Sequence, residues 1–288
     1  MPPIITTPTT SDGWSPDLVA LDPTVYLPDA LPLVVGNNVG RVEGDDPVVR
    51  VLYVDDDEAA VVPEGTEIAE SDPDFNEVLV RTVKVAQLVT MSNEQFAHLQ
   101  DGPRSPEHLS ASMRRAVTKK ANDVFVNSPA PTSDGQPPAG LLSITGVVDG
   151  GDVADNLDAI ADAVTAIEEA GGAPTDIIAA PSAWGALRKM KDSTDSNAGL
   201  LGAGTADATR QVLGLPVRTT SAMPAGELLV VDGSTIVVAA GDLKIARSEH
   251  SAFSRDAIQA RATWRFGVNA VRPDRLVRLA VAGATDGS

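Results

Sequence analysis

The chain contains no cysteine, so disulfides and thiolate metal sites play no part in it. It has only three histidines, His98, His108 and His250, none at metal-ligand spacing from another, and they read as surface or capping residues. No apolar run approaches the roughly 18 residues that a membrane span requires. Met1 to Thr10 has neither basic residues nor a hydrophobic core, so it does not read as a secretory signal, and cytoplasmic synthesis is the plain expectation. No Gly-x-Ser-x-Gly elbow occurs. Gly202-Ala203-Gly204-Thr205 lacks the Gly-Lys-Ser/Thr ending of a phosphate loop. The acidic run Asp55-Asp56-Asp57-Glu58 lacks the alternating ligands and central glycine of a calcium loop. Carboxylates are so abundant that no particular pair stands out as catalytic. No catalytic, cofactor or metal residue is therefore assigned.

What is present is acid, unevenly spread. The 288 residues, enough for one large domain or two smaller ones, carry a formal charge of −18. Residues 1–110 hold 5 basic and 20 acidic side chains, residues 111–240 hold 9 and 15, and residues 241–288 hold 8 and 5. Such a chain does not grip nucleic acid by phosphate neutralisation, but its segregated charge makes one face repelling and another tolerant.

The organising stretch is Pro106 to Val126, which reads as one helix. Ser105 can cap it, Pro106 suits its first position, and Leu109, Met113, Val117, Ala121 and Val124 recur at helical steps. At 1.5 Å per residue it is a rod of roughly 30 Å. His108, Arg115, Thr118, Lys119 and Asn122 lie opposite, while Lys120 falls inside the apolar stripe, to snorkel or to meet a carboxylate from elsewhere. Before the helix, prolines break residues 1–40 into an arm suited to lying along a surface. Val48–Val54 and Phe75–Thr90 alternate as strands around a connector, Asp55 to Phe75, too long for a tight turn. Ser92-Asn93-Glu94-Gln95 has the form of a capping box for a short helix.

After a Pro/Gly connector, an α/β region follows. Asp155–Ala170 reads as a helix buried through Leu157, Ile160, Ala161, Val164 and Ile167, and Thr175–Ala180 as a buried strand. Pro181–Lys191 reads as a helix with Trp184, Leu187 and Met190 inward, and Asp192–Ala208 as a loop. Strands are expected at Val217–Thr220, Leu228–Asp232, Thr235–Ala239, Leu243–Arg247, Ala257–Val271 and Arg275–Val281. Arg261, Arg265, Arg272, Arg275 and Arg278 stand on the polar sides of the last two.

The order of these pieces resembles the major capsid proteins of tailed bacteriophages. Ala60-Val61-Val62-Pro63-Glu64-Gly65, Ile68, Ser71-Asp72-Pro73 and Phe75 look like the tip and return of that family's extended loop. Val78 to Ala86 and Val89 to Phe96 look like the strand into its peripheral domain, and Pro138-Ala139-Gly140-Leu141-Leu142 like the element after its spine helix. Ala180-Pro181-Ser182-Ala183-Trp184, Leu187 and Lys191-Asp192 match the axial-domain helix, and Leu213-Gly214-Leu215-Pro216-Val217 the Leu-Gly-x-Pro-Val strand.

The resemblance, running from about Leu33 to Leu279, implies an α+β capsid fold. Residues 1–43 form the N-terminal arm, 44–91 the extended loop, 92–140 with 246–275 the peripheral domain carrying spine helix 106–126, and 141–245 with 276–284 the axial domain. It implies a homo-oligomer of hexamers and pentamers closing into an icosahedral head in the virion, assembled in the host cytoplasm around double-stranded DNA contacted non-specifically. A separate scaffolding protein or none, a portal and a decoration protein are the further implied partners, with no membrane. Val61, Val62, Pro63, Glu64, Gly65, Ile68 and Phe75 are the implied inter-subunit contacts, with Arg261, Arg265 and Arg272 as ion-pair partners. Arg115 and Lys119 form an inward basic face, or else ordinary solvated charge; Asp192, Gly199 and Gly204 mark the axial loop. Residues 55–80 contain no lysine, which departs from members that cross-link a loop lysine to an asparagine and implies noncovalent cohesion. The alternatives are an encapsulin shell, whose N-terminal cargo helix the proline-broken residues 1–40 do not resemble, and a soluble α/β hydrolytic enzyme.

Overall fold

The computed structural model describes residues 18–42, 46–54, 61–62, 65, 75–94, 106–132, 137–191, 199–201 and 210–283. In chain order the strands are β1 (Leu18–Leu21), β2 (Asn37–Arg41), β3 (Val48–Val54), β4 (Phe75–Ser92), β5 (Val148–Val153), β6 (Asp176–Ala179), β7 (Gln211–Val212), β8 (Leu215–Thr219), β9 (Glu227–Val231), β10 (Ile236–Ala240), β11 (Leu243–Ala252), β12 (Ala257–Ala270) and β13 (Leu276–Val281). Among the described residues, the helices of more than one turn are Pro106–Asn127, Asp158–Glu169 and Pro181–Lys189. The chain divides into two compact units.

The first unit comprises Met1–Pro28, Lys84–Thr118 and Asp242–Trp264. In it β1 pairs antiparallel with β11, Leu21 opposite Leu243, and β11 pairs antiparallel with β12. The Arg114 guanidinium lies 5.9 Å from the centre of the Tyr26 ring, a cation–π contact. Asn93 donates through its main chain to the Asp256 carbonyl, which ties the end of β4 to the turn before β12.

The second unit comprises Asp29–Val83, Lys119–Gly241 and Arg265–Ser288. Its six-stranded sheet has the order β5-β13-β9-β6-β8-β7. Every residue of β6 is buried, as are Leu228 to Val231 of β9, the continuous apolar run of a strand covered on both faces. The helix Asp158–Glu169 buries Ile160, Ala163 and Ile167. Ala163 takes the inward place expected of Ala161 and Val164, which are half-buried; Leu157 is the cap residue and also half-buried. The helix Pro181–Lys189 buries Ala183 and Leu187, leaving Trp184 and Met190 half-buried. Asp232 ends β9 and is buried; its carboxylate accepts from the main chains of Ala173 and Ser234 and lies 3.8 Å from Arg275. Gly233 meets the Val35 carbonyl so closely that any Cβ there would collide with it.

The long helix holds its line through Met113, Val117, Ala121 and Phe125, so Phe125 is the buried residue rather than the expected, half-buried Val124. Lys120 is exposed and bonds Asp123 one turn on in the same helix at 2.7 Å, not a carboxylate from elsewhere. That bond holds the Asp123 carboxyl below its ordinary range; partial burial opposes the shift and Asn127 assists it. Asn122 is not idle polar surface, since its carbonyl oxygen caps the turn beginning at Leu31 at 2.8 Å. Among the described arm residues Leu27, Ala30, Leu31 and Val35 are buried, while Val25, Tyr26 and Val39 are exposed. Within the second unit, β2 runs parallel to β10. Among the described residues no helix is long and apolar enough to cross a membrane.

Candidate inter-subunit interface

β3 and β4 form a two-stranded flap. Their antiparallel register pairs Val48 with Arg81, Val51 with Val78 and Val54 with Phe75. Because side chains alternate in a strand, the flap has two unlike faces. One carries Val49, Val51, Val78 and Val80, which pack with Val42, Val237 and Ala239. The other carries Arg50, Leu52, Val54, Phe75, Glu77 and Leu79, all exposed. Leu52 and Phe75 are each 75% exposed, far more than a lone surface apolar residue needs to be. A single ion pair, Arg50 to Glu77 at 3.4 Å, crosses that face. An antiparallel ribbon with an uncovered apolar face is marginal by itself and is stabilised by whatever covers it.

The root of the flap is built differently. Thr82 is 1% exposed. Its hydroxyl donates to the Asp46 carbonyl at 2.5 Å and accepts from the Arg265 guanidinium at 2.9 Å, while its main-chain N–H donates to Pro47. Two residues along β12, Gly267 faces the Arg81 carbonyl where any side chain would clash. Two further on, the Asn269 amide donates to the Leu79 carbonyl at 3.0 Å.

The expected contact residues are distributed as follows. Val61 is fully exposed, Val62 half-buried, and Gly65 has a positive φ of 78°, which suits a turn. Pro63, Glu64, Ile68, Asp192, Gly204 and most of the short helix expected after Ser92 lie outside the described residues. Gly199 forms a bridge with Lys191. Arg115 and Lys119 are exposed. Of the arginines offered for ion pairing, Arg261 is exposed, Arg265 is engaged with Thr82 of its own chain, and Arg272 is half-buried at the start of a short 3₁₀ turn. Arg275 and Arg278 are not loose on a polar side: Arg275 reaches Ala170 and Asp232, and Arg278 meets Glu227 at 2.5 Å. The residues that sequence reasoning missed are Leu52, Val54 and Leu79 of the outer face and the Thr82–Arg265 contact. Alternation alone signals a two-faced strand but not which face is left bare.

The chain combines a mixed α+β fold with a strand pair whose outer face is apolar and exposed. The chain belongs to the phage capsid family, whose sequence profile matches residues 37–281. Comparison with curated proteins returns no match. Several solved structures share the fold. The capsid of an empty GTA particle is 20% identical with a TM-score of 0.66, over 88% of this chain and 90% of that one. A structure from Gordonia phage Cozz is 16% identical with a TM-score of 0.64, over 98% and 92%. One from Mycobacterium phage Ogopogo is 14% identical with a TM-score of 0.61, over 97% and 100%. The protein is thus a structural capsid protein, present in many copies in a virion shell.

Proposed function

We propose that this chain is the major head subunit of a tailed phage, joining as hexamers and pentamers into an icosahedral shell around double-stranded DNA. The observation that carries the reading is the bare outer face of the flap, Leu52, Val54, Phe75 and Leu79. A neighbouring copy covers this face and gains roughly 25 cal/mol for each Å² of apolar surface removed from water. Each contact can be weak, because every subunit makes several at once. Residues 44–91 serve as the loop reaching that neighbour, residues 92–140 with 246–275 as the peripheral domain, and residues 141–245 with 276–284 as the axial domain. Arg261 is the exposed arginine offered to acidic residues of an adjacent loop. Arg115 and Lys119 line the inside and temper repulsion between an acidic shell and DNA. A scaffolding protein, a portal and a decoration protein complete assembly in the host cytoplasm.

Electron microscopy of the expressed full chain tests this directly. Replacing Asp56–Ser71 by a short Gly-Ser linker leaves a folded subunit that builds no mature shells. Normal shells from that variant overturn the role given to the flap; shells filled with a protein cargo point instead to an encapsulin.

A further inference from the structure

Burial alone does not set the direction of the flap. Val49, Val51, Val78 and Val80 hold its inner face down, but apolar contact is non-directional and tolerates sliding. β4 pairs with β12 in one sheet, and at the root β12 adds side-chain bonds from Arg265 and Asn269, with Gly267 between them admitting the Arg81 carbonyl. We propose that this segment is a seat that sets the angle of the flap, with Arg265 and Thr82 as the positioning pair and a second copy of this chain as the partner so presented. The inference rests on the reading of the flap as an inter-subunit contact.

Thr82 joins three parts of the seat. Its hydroxyl spends its proton on the Asp46 carbonyl and its lone pair on Arg265, so the chain entering β3 and the body strand β12 are both bonded to one buried atom. Gly267 allows the β4 main chain to settle directly on β12 at Arg81. From Thr82 to Phe75 the strand extends about 23 Å at 3.3 Å per residue, so a 10° turn at the root displaces Phe75 by about 4 Å. A displacement of that size moves an apolar side chain out of van der Waals contact with its partner. Arg265 thereby acts on the neighbouring subunit through its bond to Thr82.

Hydrogen exchange on the full-length subunit, kept below the concentration at which it assembles, tests the seat. Thr82→Val keeps the shape and removes the hydroxyl, Arg265→Gln removes the guanidinium, and Thr82→Ser restores the hydroxyl. The expected result is about tenfold faster exchange at the β3 amides 48–54 in Thr82→Val and Arg265→Gln, the scale of one buried polar group losing its partner. The β9 amides 227–231 stay at the wild-type rate, and Thr82→Ser exchanges like wild type. Unchanged β3 exchange in both folded variants overturns the proposal, and so does an equal rise in β9, which marks general loosening. If Thr82→Val does not fold, Arg265→Gln decides. Because exchange is read on unassembled subunits, it stands apart from the capsid reading, which fails if the wild-type chain forms no shells or forms shells around a protein cargo.

Discussion

Phe75→Ser separates assembly from folding. Phe75 is three-quarters exposed in the subunit, opposite Val54 at the far end of the flap, so its removal costs the fold within about 0.5 kcal/mol. A phenylalanine offers 150–250 Å² to bury, so about 150 Å² remains for a neighbour to cover. If half of that is covered, the contact contributes about 2 kcal/mol to each subunit addition. A loss of that size raises the concentration needed for assembly about thirtyfold. Light scattering against subunit concentration, with a thermal melt of the unassembled protein, reads both quantities. Leu52→Ser, equally exposed on the same face, shifts the threshold in the same direction. An unchanged threshold with an unchanged melt refutes the claim that this face is covered in the shell. A collapsed melt refutes the claim that the face is idle in the subunit.

Asp232→Ala removes a carboxylate that accepts from Ala173 and Ser234 and faces Arg275; it lowers stability by about 3 kcal/mol in urea titration. Asp176→Asn weakens the 2.6 Å bond from Arg218 across the β6–β8 pair and lowers stability by about 2 kcal/mol, read the same way. Leu213 and Gly214 both have positive φ in the two-residue turn between β7 and β8, where asparagine is favoured over leucine. Leu213→Asn therefore raises the melting temperature of the unassembled subunit. Asp123 titrates below its ordinary range in the folded chain because Lys120 bonds it. Its small contribution is present above the unfolded carboxylate range, near pH 4, and is lost as pH falls through the lower folded value. Asp123→Asn is accordingly slightly less stable than wild type at pH 7, and the two converge in strong acid.

The elements were largely legible because their periodicities are strong. Val48–Val54 alternates cleanly and is β3, and the three- and four-residue steps after Pro106 are the long helix. The errors fall where the deciding partner is distant in sequence. Val124 and Phe125 both sit near the edge of the apolar stripe, and only tertiary packing selects Phe125. Residues 23–26 and 31–34 form single helical turns between prolines, and the second is capped by Asn122 from 91 residues away. Arg275 and Arg278 look solvent-bound in an alternating strand, yet their carboxylates arrive from β9 and its end. For the candidate interface, the resemblance named Val61, Gly65 and Phe75, of which Val61 and Phe75 are exposed. The bare face carrying Leu52 was not legible, since strand alternation is symmetric between the covered and the naked side.

The seat of the flap joins groups 183 residues apart, and β1 waits for β11 as β2 waits for β10. A ribosome must therefore deliver almost the whole polypeptide before the ribbon can be set at its working angle. A chain that stops before Ala257 lacks β12 and with it the Arg265 and Asn269 bonds to the ribbon. Long-range closure of this kind slows folding, and until it is complete the apolar face of the ribbon and its unpaired edges stand open to misassociation.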